Sequence, residues 1–253
     1  SVLDAARGGA EHQSITWFLR DEARLVPRAL VLVTSDTDEG ERAARILAAR
    51  FEGHFVHTDC TRCRDLRDDD PHRFASRGLR RLVNELVGRV ERLRRGGFTP
   101  AIDATGGYKP QIAYAVLVGQ VMQVPVYYRY EAFADVIGLQ PLPVSVDVEV
   151  WFDHLWFLER LREDFVPARR TPPDDGRLGP LLEREGDDLV TLSPLGELMA
   201  AAVDRLLAMQ GERLLPPPSG LAPEAKRCST RTAMLAGMPV SLTSARGWRG
   251  CHS

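Results

Sequence analysis

Ala29-Leu30-Val31-Leu32-Val33-Thr34 is an unbroken apolar run of strand length. The polar turn Ser35-Asp36-Thr37-Asp38-Glu39-Gly40 closes it, and a helical pattern with Ala43, Ala44, Ile46, Leu47 and Phe51 follows. A strand wetted on one face alternates apolar and polar residues. A run without alternation suits a central strand of a parallel sheet, covered on both faces. The unit recurs. Residues 54–58 are a candidate second strand, 98–102 a third, and 124–130 a fourth, with Pro125 at its start, where proline is tolerated. Helical patterns lie between them. The clearest spans 74–95, where Leu79, Leu82, Val83, Leu86, Val87, Val90 and Leu93 form one apolar stripe that Gly96-Gly97 stops. Strands alternating with helices predict an α/β fold: a Rossmann-like, mostly parallel sheet with helices on both faces. Such a sheet ordinarily opens with a strand. This chain opens with a polar stretch and a helical pattern over 11–25, so a first strand is expected upstream.

Ligands of open α/β sheets bind outside the carboxyl ends of the strands. Three polar loops fall there and are expected to converge on one rim: Ser35-Asp36-Thr37, Asp103-Ala104-Thr105-Gly106-Gly107-Tyr108-Lys109, and Arg129-Tyr130-Glu131. The second carries the most chemistry. Gly106 and Gly107 let the backbone turn sharply and approach a ligand closely. The helix that follows points unpaired N–H groups and its positive dipole end back at the loop, and Lys109 adds a charge. This combination suits a phosphate. It is neither a P-loop nor a G-x-G-x-x-G fingerprint. The plain alternative is a tight strand-to-helix turn with a surface lysine. Asp36 with Glu39 fits a capping box.

Formal net charge is -2, so bulk charge gives no argument for nucleic acid or membrane, and any anion site must be local. No apolar run approaches the ~20 residues of a membrane span, and the start of the chain lacks a signal-peptide core. A cytoplasmic protein is expected. Cys60 and Cys63 form a C-x-x-C with no partner pair, so free thiols, no metal and no cofactor are expected. The arginines of 74–95 are interleaved with Glu85 and Glu91 and read as a solvated helix face.

The pattern changes after Leu139. Residues 1–150 read as the ligand-sensing domain. Residues 151–215 read as a connector in a small α+β region, with a strand at 189–192, Ser193 as N-cap and Pro194 opening a helix. It is either the wing and last helix of a winged-helix module or a plain packing or dimerisation element. Residues 216–253, without Asp or Glu from Cys228 onward, read as a disordered tail or the remnant of a lost effector domain.

Three features together resemble the CRISPR-associated Rossmann-fold (CARF) sensors, regulatory domains of type III CRISPR accessory nucleases. They are Ser35-Asp36-Thr37-x-x-Gly40; Asp103-Ala104-Thr105-Gly106-Gly107-Tyr108-Lys109, where that family usually has Asn-Ala-Thr-Gly-Gly-Phe-Lys; and Pro125-Val126-Tyr127-Tyr128-x-Tyr130-Glu131-x-Phe133, with Leu142-Pro143 soon after. Order and spacing match over residues 10–147, more than half the chain. The resemblance implies a homodimer that binds cyclic oligoadenylate, usually cyclic tetra-adenylate (cA4), across its two-fold axis, each protomer reading half the ring. Gly106, Gly107 and Lys109 would then meet phosphates. Ser35, Thr37 and Thr105 would bond ribose or phosphate, Asp36 would cap a helix or accept from an adenine amine, and Glu131 would accept a ribose hydroxyl. Tyr108 stands for the family's Phe. Asp103 stands for its Asn and brings a negative charge near the loop, more simply used to bond the turn's own backbone.

Four functions follow as expectations. The first is an antiviral defence sensor controlling a ribonuclease effector that this chain does not reveal, with RNA as a partner only through that effector. Arg246 and His252 match the spacing of an effector motif but lack a helical bundle around them. The second is a ring nuclease, in which a ribose 2′-hydroxyl attacks its own phosphate without a metal and Lys109 stabilises the developing charge. The third, a transcription regulator, calls for a basic recognition helix, whereas residues 198–209 carry only Arg205. The fourth is an unrelated mononucleotide-binding enzyme.

Overall fold

The apolar run becomes β1 (Pro27–Thr34), buried along its last six residues. The computed structural model describes residues 9–20, 27–130, 133, 135–143, 146–173, 176–214 and 232–237. In chain order, α1 (Ala10–Phe18) and β1 lead to α2 (Asp38–Arg50), β2 (His57–Arg62), the short α3 (Pro71–Arg73), a π-helical turn over Phe74–Gly78, α4 (Leu79–Arg95), β3 (Thr99–Asp103), α5 (Lys109–Met122), β4 (Val126–Tyr128) and β5 (Ile137–Leu139). The α/β expectation holds: the strands form one mostly parallel sheet with helices on both faces.

Strand alternation sorts the two faces. Val31, Val33, Ile102, Ala104 and Val126 pack with the buried stripes of α4 and α5. Leu30 and Leu32 point the other way, against Ile15 of α1 and Ala44 and Leu47 of α2. Ala101 meets Phe18 of α1 on that same side. The α4 stripe matches its period: Leu79, Leu82, Val83, Leu86, Val90 and Leu93 are buried. Its arginines do more than face solvent. Arg80 donates to Thr191 Oγ1 at 3.0 Å and the Leu192 carbonyl at 3.2 Å, Arg89 donates to Glu85 at 2.6 Å and Asp59 at 2.5 Å, and Arg94 donates to the Met122 carbonyl at 2.5 Å.

β2 starts three residues later than its apolar signal. Phe55 is buried in the α1/α2 cluster, within a turn where Gly53 takes φ +80°. β2 itself is a polar edge strand, His-Thr-Asp-Cys-Thr-Arg, and an edge needs no apolar face to be held by its ladder.

The sheet order is β2-β1-β9-β3-β4-β5, where β9 is Thr232–Gly237. β9 runs parallel to both neighbours, pairing Val33 with Gly237 on one side and Asp103 with Ala236 on the other. This corrects the reading of the C-terminal tail: residues 232–237 form the strand at the middle of the sheet. They also occupy the place of the first strand expected upstream. Counted from β9, the chain reads β9-α1-β1-α2-β2-α4-β3-α5-β4-β5, and the spatial order becomes 3-2-1-4-5-6, that of dinucleotide-binding sheets. α1 then lies in sequence where the crossover helix between the first two strands belongs.

A small α+β unit follows: α6 (Glu149–Asp153), α7 (Leu155–Glu163), β6 (Val166–Pro167), β7 (Leu182–Glu185), β8 (Leu189–Leu192) and α8 (Pro194–Leu214), with an antiparallel sheet in the order β6-β8-β7. Ser193 caps α8, its Oγ accepting from the Gly196 N–H at 3.1 Å. Ala200 and Val203 of α8 join the core of this unit around Trp151 and Leu158, while Leu198 and Ala201 enter the α4/α5 core. The first half of α8 is thus buried between two cores. Its buried residues there serve packing.

Candidate ligand-binding rim

The sheet extends outward from β9 in both directions, through β1 to β2 and through β3 to β4 and β5. Its switch point is therefore the carboxyl end of β9, where ligands of such folds bind. The registers Thr34↔Arg62, Val33↔Gly237, Asp103↔Ala236 and Asp103↔Tyr127 bring the strand ends to one edge. The loop after β1 and the loop after β3 flank that point, separated by the width of β9, roughly 10 Å from β1 to β3 at ordinary strand spacing.

The loop after β1 is locked from within. Thr37 is the N-cap of α2, its Oγ1 accepting from the Gly40 N–H at 3.0 Å, and Ser35 Oγ lies 2.8 Å from that same oxygen. Thr37, rather than an Asp36–Glu39 capping box, therefore closes the helix; Glu39 pairs with Arg42 at 2.9 Å. Gly40 has a steric reason: a Cβ there would stand 2.2 Å from Ser35 Oγ. Asp36 is engaged by the end of β2 and the loop after it. Its Oδ1 accepts from Arg62 Nε at 2.7 Å and its Oδ2 from the Asp65 N–H at 2.9 Å. It braces the 63–66 loop, where buried Asp65 also pairs with Arg73 and Arg81.

The loop after β3 is the more open. Gly106 is buried, and Gly107 is exposed with φ +111°, a conformation suited to glycine. Lys109 opens α5, is exposed, and has no ion pair or hydrogen bond to its side chain among the described residues. Tyr108 reaches sideways, donating to Asp68 Oδ2 at 2.5 Å and standing edge-on to Phe74. That bond holds the Asp68 carboxyl below its ordinary range. Thr105 Oγ1 is engaged three ways: 2.5 Å from Asp103 Oδ1, 3.1 Å from Ser14 Oγ of α1, and accepting from the Arg129 N–H at 3.0 Å. It thereby ties α1 and the end of β4 to this loop. Glu131 lies outside the described residues.

Asp103 is fully buried on the α1 side of the sheet. Its Oδ1 accepts from the Thr105 N–H at 3.0 Å and the Thr105 hydroxyl, so it does bond its own turn. Its Oδ2 has no partner among the described residues. Burial pushes its pKa up to about 6, restrained by hydrogen bonds from the Thr105 hydroxyl, the Ser14 hydroxyl and the Thr105 N–H. On the opposite face, Gln111 of α5 is 3% exposed; its Oε1 accepts from the Tyr108 N–H at 2.7 Å and its Nε2 has no partner among the described residues. Sequence reasoning missed Gln111. The signal was there: it heads the buried stripe Gln111, Ala115, Val118, Gly119, Met122, a polar residue where the period calls for an apolar one. Ser14 and Gln13, which accepts from Arg129 Nε at 3.0 Å, were missed because only the tertiary fold lays α1 against the rim.

Beside the first loop a cavity of about 290 Å³ is lined by Gly9, Glu11 and His12 of the α1 start, Thr34 and Ser35, and the apolar side of α2. Among the described residues no three His, Cys, Asp or Glu side chains gather as metal ligands, and no helix is long and apolar enough to cross a membrane. Cys60 is an exposed free thiol and Cys63 a buried one, its pKa pushed up to about 12 by burial. Cys228 and Cys251 lie outside the described residues.

The arrangement offers an anion two glycine-flanked backbone turns, a helix N-terminus and one uncommitted lysine at the switch point of the sheet. No curated protein matches the chain. Residues 6–142, more than half of it and the whole span that builds both loops, match the sequence profile of a CRISPR-associated protein family (Cas_APE2256), and the chain belongs to that family.

Proposed function

We propose that this protein is a sensor in type III CRISPR antiviral signalling. Two copies bind one cyclic oligoadenylate ring, cyclic tetra-adenylate, across their rims and control a ribonuclease effector in the cytoplasm. The observation that carries the reading is the loop Thr105-Gly106-Gly107-Tyr108-Lys109 opening α5 at the switch point, with the Lys109 ammonium uncommitted among the described residues. Phosphates of the ring lie against this helix start, where N–H groups and dipole favour negative charge. Membership of a CRISPR-associated family supports the biological setting.

The test is incubation with cyclic tri-, tetra- and hexa-adenylate, followed by calorimetry and chromatography of the products. The expected result is one intact cyclic tetra-adenylate per two chains, with Lys109→Ala binding roughly 10–100-fold more weakly, the range for losing a hydrogen bond to a charged group. Linear products would make the protein a ring nuclease. No binding to any ring would overturn the proposal.

A further inference from the structure

We infer that Gln111 is a binding residue of the rim, its side-chain amide a buried donor for a phosphate oxygen at the start of α5. The inference rests on the proposed reading that the loop after β3 holds the ligand's phosphates.

The buried stripe of α5 faces the sheet, and Gln111 is its first member, at the end nearest the rim. Its Oε1 accepts from the Tyr108 N–H at 2.7 Å, which folds the carboxamide back against the Gly106-Gly107-Tyr108 turn. Nε2 sits on the same carbon and shares that position. It is buried and has no partner among the described residues. Reversing the amide does not remedy this, because it would set NH₂ against the Tyr108 N–H, donor against donor; the network fixes the orientation. Buried polar groups almost always find partners, and an orphan calls for an explanation. An apolar residue would suit the period of the stripe but leave the Tyr108 N–H without its acceptor, so the helix cap accounts for the oxygen of Gln111 and not for its amine. The glutamine makes that cap and leaves two donors beside the Gly106-Gly107-Tyr108 turn. An anionic oxygen at the helix start would accept from Nε2, from the loop N–H groups and from Lys109 together, a charge-assisted set of the strong kind. The sheet separates this donor from Asp103, whose carboxylate lies on the α1 side, so the two orphans do not satisfy one another.

The test compares the full chain with Gln111→Glu and Gln111→Met by calorimetry against cyclic tetra-adenylate. It also follows the wild-type Gln111 side-chain amide by NMR, the resonance being assigned by its loss in Gln111→Glu. Glu keeps an oxygen for the Tyr108 N–H and removes the donor, so binding should weaken roughly 10–100-fold or more, and its buried carboxylate should lower the melting temperature at neutral pH as the burial of Asp103 does. Met is the second variant should Glu disturb folding, and the NMR arm needs no variant to fold well. The ring should shift the amide resonance. If the ring binds and neither the affinity of the variants nor the amide shift responds, Gln111 is not a ligand donor, although the ring-binding proposal stands. If no ring binds, that proposal fails, and inorganic pyrophosphate becomes the probe. A pyrophosphate-induced shift of the Gln111 amide upholds the donor for phosphate in another ligand, and silence with pyrophosphate overturns it.

Discussion

Replacing Asp103 by Asn should stabilise the protein at neutral pH and leave it nearly unchanged in acid. The carboxylate is fully buried, and one oxygen has no partner among the described residues. Its pKa of about 6 lies above the ordinary value of 3.8 because burial penalises the charged form. The folded state therefore holds this proton more tightly than the unfolded chain. The stability it contributes is fully present below the unfolded pKa and lost as pH rises through about 6. A displacement of roughly two units corresponds to about 3 kcal/mol, a ceiling because local relaxation softens burial penalties. Asn keeps an oxygen for the Thr105 N–H and carries no charge. Urea unfolding of both proteins between about pH 4 and pH 8 should show curves that nearly meet in acid and separate by about 1–3 kcal/mol above neutrality, Asn the more stable. A variant that is less stable at high pH, or offset by the same amount at every pH, would refute the reasoning. Under the proposed function, the same change should also strengthen cyclic tetra-adenylate binding, since it removes a negative charge beside the phosphate loop.

Gly40→Ala should destabilise by about 1–3 kcal/mol in thermal or urea melts, although helix propensity alone favours Ala there, because the new Cβ meets Ser35 Oγ at 2.2 Å. Much of the loss should return in the Gly40→Ala/Ser35→Ala double variant; a more stable single variant would contradict the packing argument. Maleimide labelling mapped by mass spectrometry should modify exposed Cys60 and spare buried Cys63 until urea unfolds the chain. Equal labelling of the two in native buffer would count against the placement of Cys63.

Much of the architecture was legible because local periodicity reports burial. The α4 stripe and the apolar β1 run each depend on neighbours a few residues away, and both appear where their patterns put them. The loop after β3 was legible for the same reason: strand, glycine pair, lysine and helix start are contiguous in sequence. Roles that come from a distant partner were not legible. Asp36, expected as a helix cap, accepts from Arg62 and the Asp65 N–H while Thr37 caps the helix. The arginines of α4, a solvated face by pattern, fasten it to residues as far along the chain as Leu192.

The sequence by itself determined the α/β class, the helix faces and the chemistry of the glycine–lysine loop, since each follows from side-chain spacing within one element. Only the tertiary structure decided what lies at the centre of the sheet. Thr232-Ala233-Met234-Leu235-Ala236-Gly237 is a short segment in a stretch without acidic residues from Cys228 onward, and no local pattern gives it a partner. β1 and β3 each present an edge of backbone N–H and C=O groups that must be paired if buried. β9 pairs with both edges at once, more than a hundred residues along the chain from either, and in doing so sets the switch point at which the rim is built.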